Sequence, residues 1–143
     1  MEKDKYDALG PLLSEIGQEI SDTVGGDPNG VFFYVEVSEG WASPSIFKDE
    51  GDVVRFYYPL DPTLSEIVFD VWYTEPDASK RWSVMEYVVE GGKFHASFKY
   101  PEEIDITERD SDRRDAALQA RFGDKPVLYP PMKGMFEYKP DGS

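Results

Sequence analysis

One histidine and a dense run of carboxylates are the side chains of this sequence that could support acid–base chemistry or metal binding. His95 lies between Phe94 and Ala96 in an aromatic-rich run, a setting typical of a surface position on a strand. The acidic run at 102–112 lacks the central glycine and the terminal glutamate of a calcium-binding loop. The sequence therefore predicts no catalytic residue, no metal site and no cofactor.

Nucleophilic and phosphate-binding chemistry has no motif in the sequence either. The 143 residues include no cysteine, which excludes disulfides, thiolate metal ligands and cysteine nucleophiles. There is no nucleophile elbow, P-loop, dinucleotide-binding fingerprint or zinc-protease motif. Arg113 and Arg114 could bind a phosphate together, but the aspartates interleaved with them favour ion pairs within a helix. We therefore expect that the protein is not an enzyme.

The net charge of −14 is the property that points to a kind of partner. Residues 1–79 contain 17 acidic and 4 basic residues, a net charge of −13, whereas residues 80–143 contain 12 acidic and 11 basic residues, a net charge of −1. A surface this acidic disfavours binding to nucleic acid and to anionic membranes. Solubility alone accounts for such an excess, but the excess also favours a basic protein partner, which opposite charge steers into place.

Trp41 lies in a segment of glycine, serine and proline with acidic residues on both sides. A large aromatic side chain among carboxylates is typical of an interface, where the ring anchors and the charges steer. The alternative is that Trp41 folds back and closes the end of the core. On the first alternative, the predicted partner-binding residues are Glu36, Glu39, Trp41, Asp49, Glu50 and Asp52.

The segment 81–100 organises the predicted fold. Gly91 and Gly92 separate two runs of aromatic and β-branched residues, which predicts a hairpin with a two-residue turn. This turn pairs Glu90 with Lys93, and because side chains alternate along a strand, one face becomes core and the other lies largely in solvent. The side chains predicted on the core face are Met85, Tyr87, Val89, Phe94, Ala96 and Phe98.

The remaining pattern predicts a single α+β domain over residues 1–143, with an antiparallel sheet of about four strands. An amphipathic helix at 4–24 covers the sheet, and strands are expected at 31–37 and 53–60. A charged C-terminal helix at 111–122 has only a thin apolar stripe, so we expect it at an edge, half solvated. Ser111 or Asp110 would cap it and Gly123 would end it.

Three segments are less clear from their composition. The segment 38–52 is either a long hairpin loop or a short irregular strand between two turns. For 61–73 we favour a helix, because Asp61 suits the N-cap and Pro62 suits the first helical position, although the alternation of apolar residues also fits a strand. The Pro-rich segment 124–143 is typical of an extended tail laid across the surface.

The order of these elements and a small set of residues together resemble the pattern of a known protein family. These residues are Trp82 at the start of a strand, the turn Gly92, Lys93 and Phe94, the return-strand residues Phe98 and Tyr100, and Arg113 or Arg114 and Gly123 in the last helix. Because of these residues, the segment 1–123 resembles the YezG-like immunity (antitoxin) family. The resemblance implies a small cytoplasmic protein that binds and neutralises a co-produced toxin, often a nuclease.

A cytoplasmic location also agrees with the N-terminus, whose alternating charges are unlike a secretory signal. No apolar stretch approaches the roughly 18 residues that a membrane span needs. The alternative to toxin neutralisation is an adaptor, or a phage-type inhibitor of a basic host protein, with no link to a toxin. Both alternatives describe a binding protein with a basic protein partner.

Overall fold

The chain forms a six-stranded sheet with helices packed on both of its faces. The computed structural model describes residues 5–59 and 62–129. In chain order the elements are α1 Lys5–Val24, β1 Val31–Ser38, β2 Trp41–Asp49, β3 Val54–Tyr57, α2 Thr63–Tyr73, β4 Val84–Glu90, β5 Lys93–Lys99, α3 Asp110–Phe122 and β6 Val127–Leu128. The strand order is β5-β4-β1-β2-β3-β6, in which β6 runs parallel to β3 and every other neighbouring pair is antiparallel. The predicted α+β class is confirmed.

The sheet differs from the predicted antiparallel sheet of about four strands in its size and in the direction of β6. Much of the difference comes from the segment 38–52, which was predicted as a long loop or a short irregular strand. It contains the nine-residue strand β2 instead. Residues 41–45 pair only with β1, so Pro44 lies where the sheet is open on one side, a position that a proline tolerates.

The central hairpin has the predicted register. Glu90 pairs with Lys93 and Met85 pairs with Phe98. Gly91 and Gly92 both have positive φ angles, 58° and 75°, as the predicted two-residue turn requires.

One face of the sheet is covered by α1 and α2. The predicted helix at 4–24 is confirmed within the described residues as α1, and Thr63–Tyr73, in the segment where a strand was the alternative, forms the helix α2. Five residues of α2 are buried at the spacing of a helical stripe, which explains why the apolar run is a helix. The core on this face includes Ile16, Ile20, Val31, Phe33, Val35, Ile46, Val68, Val71, Met85 and Tyr87.

The other face is also covered, by α3, which corrects the predicted edge position of this helix. The outer face of the hairpin lies largely in solvent, as predicted, since His95, Ser97 and Lys99 are exposed, although Val84 is buried beside the central strand β1. The helix α3 does not lie at an edge, since Leu118 is buried against this face and the Phe122 ring packs edge-on to Phe32 of β1. Phe94, predicted in the core, is 37% exposed because β5 is an edge strand.

The helix ends differ in detail from the prediction. The N-cap of α3 is Arg109, not Ser111 or Asp110, and its side chain makes no capping hydrogen bond. Gly123 ends α3 as predicted, with a φ of 62°. Pro62 is the N-cap residue of α2 rather than its first helical residue, and the predicted cap Asp61 lies outside the described residues.

The predicted extended tail begins as the two-residue strand β6, and residues 130–143 lie outside the part of the chain that the structure describes. No helix in the described part is both long enough and apolar enough to cross a membrane.

Candidate interaction surface

The six residues predicted to bind a partner do not form one surface. Glu39 and Trp41 lie at the turn between β1 and β2, whereas Asp49, Glu50 and Asp52 lie at the opposite end of β2. Nine residues of strand separate these two ends by about 26 Å. Glu36 belongs to neither end, because it is a buried residue of β1.

Glu36 is held in the interior by three hydrogen bonds. Its carboxylate accepts from Arg113 Nη2 at 2.8 Å and Nε at 3.0 Å, and from the Tyr34 hydroxyl at 2.6 Å. With a relative exposure of 4%, Glu36 does not present its charge to a partner. Glu36 is not part of an exposed surface because α3 lies over this face of the sheet and Arg113 of α3 contacts the Glu36 carboxylate.

The pKa values around Glu36 show how strongly these groups interact. Hydrogen bonding to Glu36 raises the pKa of the Arg113 guanidinium above its usual value. Burial, and then the hydrogen bond to the Glu36 carboxylate, raise the pKa of the Tyr34 hydroxyl. Arg113 therefore stays protonated and Tyr34 stays neutral at physiological pH, and Arg113 is a structural cation rather than a phosphate ligand.

Two arginines near the start of α3 form the predicted local ion pairs. Arg109 contacts Asp112 at 3.2 Å, and Arg114 contacts Asp115 at 3.4 Å. Arg113 and Arg121 instead pair outside the helix, with Glu36 and Glu90. The Arg113 Nη1 also donates to the carbonyl oxygens of residues 105 and 108, at 2.7 and 2.8 Å.

At the β2–β3 end, two of the three predicted carboxylates already have cationic partners. Lys125 Nζ lies 2.8 Å from Asp49, and Arg55 Nε lies 3.0 Å from Glu50. The hydrogen bond from Lys125, followed by one from the Gly51 N–H, lowers the pKa of the Asp49 carboxyl. This end therefore carries little charge that is not compensated within the chain.

The β1–β2 end is different, because its charge is not compensated. Glu39 is exposed and makes no ion pair with any residue that the structure describes. Trp41 is 43% exposed, so the alternative that it closes the end of the core is wrong. Gly40, between these two residues, borders a shallow depression whose other wall is the outer face of α2.

That outer face of α2 was not among the predicted site residues. Its residues follow the helical spacing of 66, 69, 70 and 73, and they alternate between acidic and aromatic side chains. Tyr73 is 49% exposed, and its ring stacks with Phe69 at a centroid distance of 6.4 Å. Glu66 and Asp70 form no ion pair inside the described ranges. We use the name α2 surface for the α2 residues Glu66, Phe69, Asp70 and Tyr73 together with the turn residues Glu39 and Trp41, which flank Gly40 in the sequence.

A signal for the α2 surface was present in the sequence. The positions 64, 67, 68, 71 and 72 supply the buried stripe of α2, so the opposite stripe must face outward. Because a strand was an open alternative for this segment, that outward stripe was not assigned.

A second groove lies between α3 and the hairpin, but its cations are all paired. It has a volume of about 490 Å³ and is lined by residues of β1, β4, β5, α3 and the loop at 100–109. Lys99 contacts Glu86 at 3.5 Å, Arg113 pairs with Glu36, and Arg121 pairs with Glu90. Each of the three cations that line the groove is therefore already held in an ion pair within the chain.

Four carboxyl groups of the described residues have pKa values that differ clearly from the usual value. The four shifts are all downward, caused chiefly by hydrogen bonds from neighbours, at Asp27, Asp49, Asp77 and Asp105. His95 is exposed on the edge strand β5. Among the described residues, no cluster of three or more histidine, aspartate or glutamate side chains could hold a metal ion.

The protein is therefore an α+β protein whose six-stranded sheet has helices on both sides. The outer side of α2 carries exposed acidic and aromatic residues. No protein-family model matches the sequence, and a search of curated proteins returns no match. The resemblance to the YezG-like immunity family therefore stays a prediction. The residues that carry it are largely structural in this fold: Trp82 is buried, its carbonyl accepts the Trp72 indole N–H at 2.8 Å, and Gly92 lies in the hairpin turn.

Proposed function

We propose that this chain is a binding protein that neutralises a basic protein partner, a co-produced toxin with nuclease activity, by direct contact. The observation that carries the proposal is the α2 surface, where exposed aromatic rings lie beside carboxylates that have no ion pair within the described chain. Large exposed aromatic side chains are typical of interface anchors, and uncompensated carboxylates attract a basic surface.

A nuclease is the toxin class that fits this charge best. A nuclease must hold a polyanion and therefore has a basic substrate groove. An acidic protein can cover such a groove, and opposite charge accelerates the encounter between the two proteins. Neutralisation of this kind needs shape and charge but no reaction by the binding protein, so we assign no catalytic residue and no cofactor.

The proposal is tested by capture followed by a toxicity assay. The full chain with an affinity tag is used to isolate its partner from the native host, and the captured protein is then expressed alone and together with this chain. We expect a basic partner that arrests growth when expressed alone and does not do so when the two proteins are expressed together.

Two results would contradict the proposal in different ways. A captured basic protein that is harmless when expressed alone would favour an adaptor, or an inhibitor of a host protein, over a toxin antagonist. A stable complex that forms while toxicity persists would show that binding does not neutralise.

A further inference from the structure

We propose that the α2 surface binds an arginine-bearing segment of the basic partner, with guanidinium groups lying against its aromatic rings and paired with Glu66 and Asp70. The inference rests on the proposed function, because it names the surface and the chemistry by which the same partner would be recognised.

The first support is an unfavourable charge arrangement in α2. Glu66 and Asp70 are one helical turn apart, a spacing at which like charges repel and destabilise the helix. Neither carboxylate has an ion pair among the residues described. A cation placed between them would relieve the repulsion, so this pair of carboxylates favours a basic ligand.

The second support is the exposure of large aromatic rings beside these carboxylates. Tyr73 is 49% exposed and lines the depression at Gly40. Trp41 is 43% exposed and follows Gly40 in the sequence. Exposed apolar surface that is rimmed by polar groups is typical of an interaction site. Tyrosine and tryptophan are also the residue types most often found at the energetic centre of interfaces.

The third support is that Tyr73 already binds a guanidinium within this chain. The Arg81 guanidinium carbon lies 4.8 Å from the Tyr73 ring centroid and 4.9 Å from the Trp72 ring centroid. Arginine stacks on aromatic faces and presents a planar fork to carboxylates, whereas lysine is a compact, strongly hydrated charge. The combination of rings and carboxylates on the α2 surface therefore favours arginine over lysine.

Other occupants fit less well. A second copy of this chain would place one acidic surface against another, and like charges in an interface are unfavourable. The carboxylates at the β2–β3 end are mostly paired with Arg55 and Lys125, so a basic segment gains less there.

The test uses the full chain and two short peptides, hexa-arginine and hexa-lysine, with affinities measured by isothermal titration calorimetry at low salt. In the variant Glu66→Gln with Asp70→Asn, we expect hexa-arginine affinity to fall about fivefold, because two partly exposed ion pairs are lost. The matched control is Asp52→Asn with Asp124→Asn, which removes the same charge from the opposite end and should change the affinity less than about twofold. Removing the repulsion should leave the Glu66→Gln, Asp70→Asn protein at least as stable as the unmodified protein.

The aromatic part is tested by Tyr73→Leu, which keeps an apolar side chain and removes the ring. We expect the unmodified protein to bind hexa-arginine more tightly than hexa-lysine, and Tyr73→Leu to lose that preference. Equal binding of the two peptides by the unmodified protein would overturn the proposed arginine recognition. Equal losses in the α2 variant and in the control would show diffuse attraction and would overturn the proposed surface.

The inference and the proposed function fail separately. If the captured toxin is neutralised as well by Glu66→Gln with Asp70→Asn as by the unmodified protein, the α2 surface is overturned and the function stands. If hexa-arginine binds with the expected dependence but no captured protein is toxic, the toxin function is overturned and the surface stands.

Discussion

The Arg113 guanidinium and the Glu36 carboxylate form a buried ion pair with two hydrogen bonds, although the two residues are 77 positions apart in the chain. The side chains are only 15% and 6% exposed. Arg113 also donates to two carbonyl oxygens of the loop that precedes α3. This one side chain thus connects the central strand, the C-terminal helix and a loop.

Removing Arg113 should be strongly destabilising, because it leaves the Glu36 charge buried without its cation. We expect Arg113→Met to lower the free energy of unfolding by about 3–5 kcal/mol, measured by urea denaturation. The control Arg109→Met removes an exposed pair with Asp112 and should change stability by less than about 1 kcal/mol. Adding Glu36→Gln to Arg113→Met should recover part of the loss. A loss for Arg113→Met no larger than that for Arg109→Met would contradict this role.

The ion pair between Asp49 and Lys125 should make stability depend on acid pH. The pKa of Asp49 is below its usual 3.8 in the folded protein, so the stability it contributes is fully present above the unfolded value and is lost as pH falls through the folded value. Asp49→Asn should therefore be less stable than the unmodified protein at neutral pH, and the two should converge only as the pH falls below the lowered pKa of Asp49 in the folded protein.

The stability difference is measured by denaturation at a series of pH values, with Lys125→Met as a second variant that should behave in the same way. Asp52→Asn serves as the control, since Asp52 forms no ion pair within the described residues. A difference between Asp49→Asn and the unmodified protein that is constant with pH would be inconsistent with this pair.

The effect of Gly17→Ala on stability should depend on the hydroxyl group of Tyr87 and should change sign when that hydroxyl is removed. A Cβ at Gly17 would lie 2.8 Å from the Tyr87 hydroxyl oxygen, which donates to the Leu13 carbonyl at 2.7 Å. We expect Gly17→Ala to destabilise the protein, although alanine is normally favoured over glycine in a helix by about 1 kcal/mol. In a Tyr87→Phe background the same change should stabilise, because the hydroxyl is gone. Denaturation of the four proteins measures this coupling, and additive effects would argue against the contact.

Association with the captured basic partner should be steered by the α2 surface. We expect the triple change Glu39→Lys, Glu66→Lys and Asp70→Lys to slow association by about tenfold at low salt. Raising the salt concentration should slow the unmodified protein as well. Stopped-flow fluorescence of the exposed Trp41 provides the measurement.

The matched control for this experiment is Asp52→Lys, Glu102→Lys and Asp124→Lys, which reverses three exposed charges away from the α2 surface. Its association rate should stay closer to that of the unmodified protein. An association rate that is indifferent to both salt and charge reversal would show that steering does not operate.

The hairpin was predictable because its information is local. Two glycines determine the turn, the turn determines the register, and Val89 and Phe94 then pair without reference to distant residues. The helix α2 was predictable from its apolar spacing, although the same run also fitted a strand until burial on one face decided between them.

What could not be predicted depends on residues far apart in the chain. Glu36 looks like a surface carboxylate in an alternating strand, and only the arrival of Arg113 makes it an interior residue. Pro44 argues against a strand by composition, but β1 supplies the pairing on one side and the other side is open there. The thin apolar stripe of α3 did not indicate its position over the centre of the sheet, because a polar contact, the Arg113–Glu36 ion pair, accompanies the burial of Leu118 there.

The ion pairs of Arg113 and Lys125 can form only late in the synthesis of the chain. The strands that carry Glu36 and Asp49 leave the ribosome long before the two cations that pair with them. Until α3 has been synthesised, Phe32, Tyr34 and Phe47 of the second core have nothing to cover them. The net charge of −13 over residues 1–79 opposes association between such incomplete chains, because like charges repel.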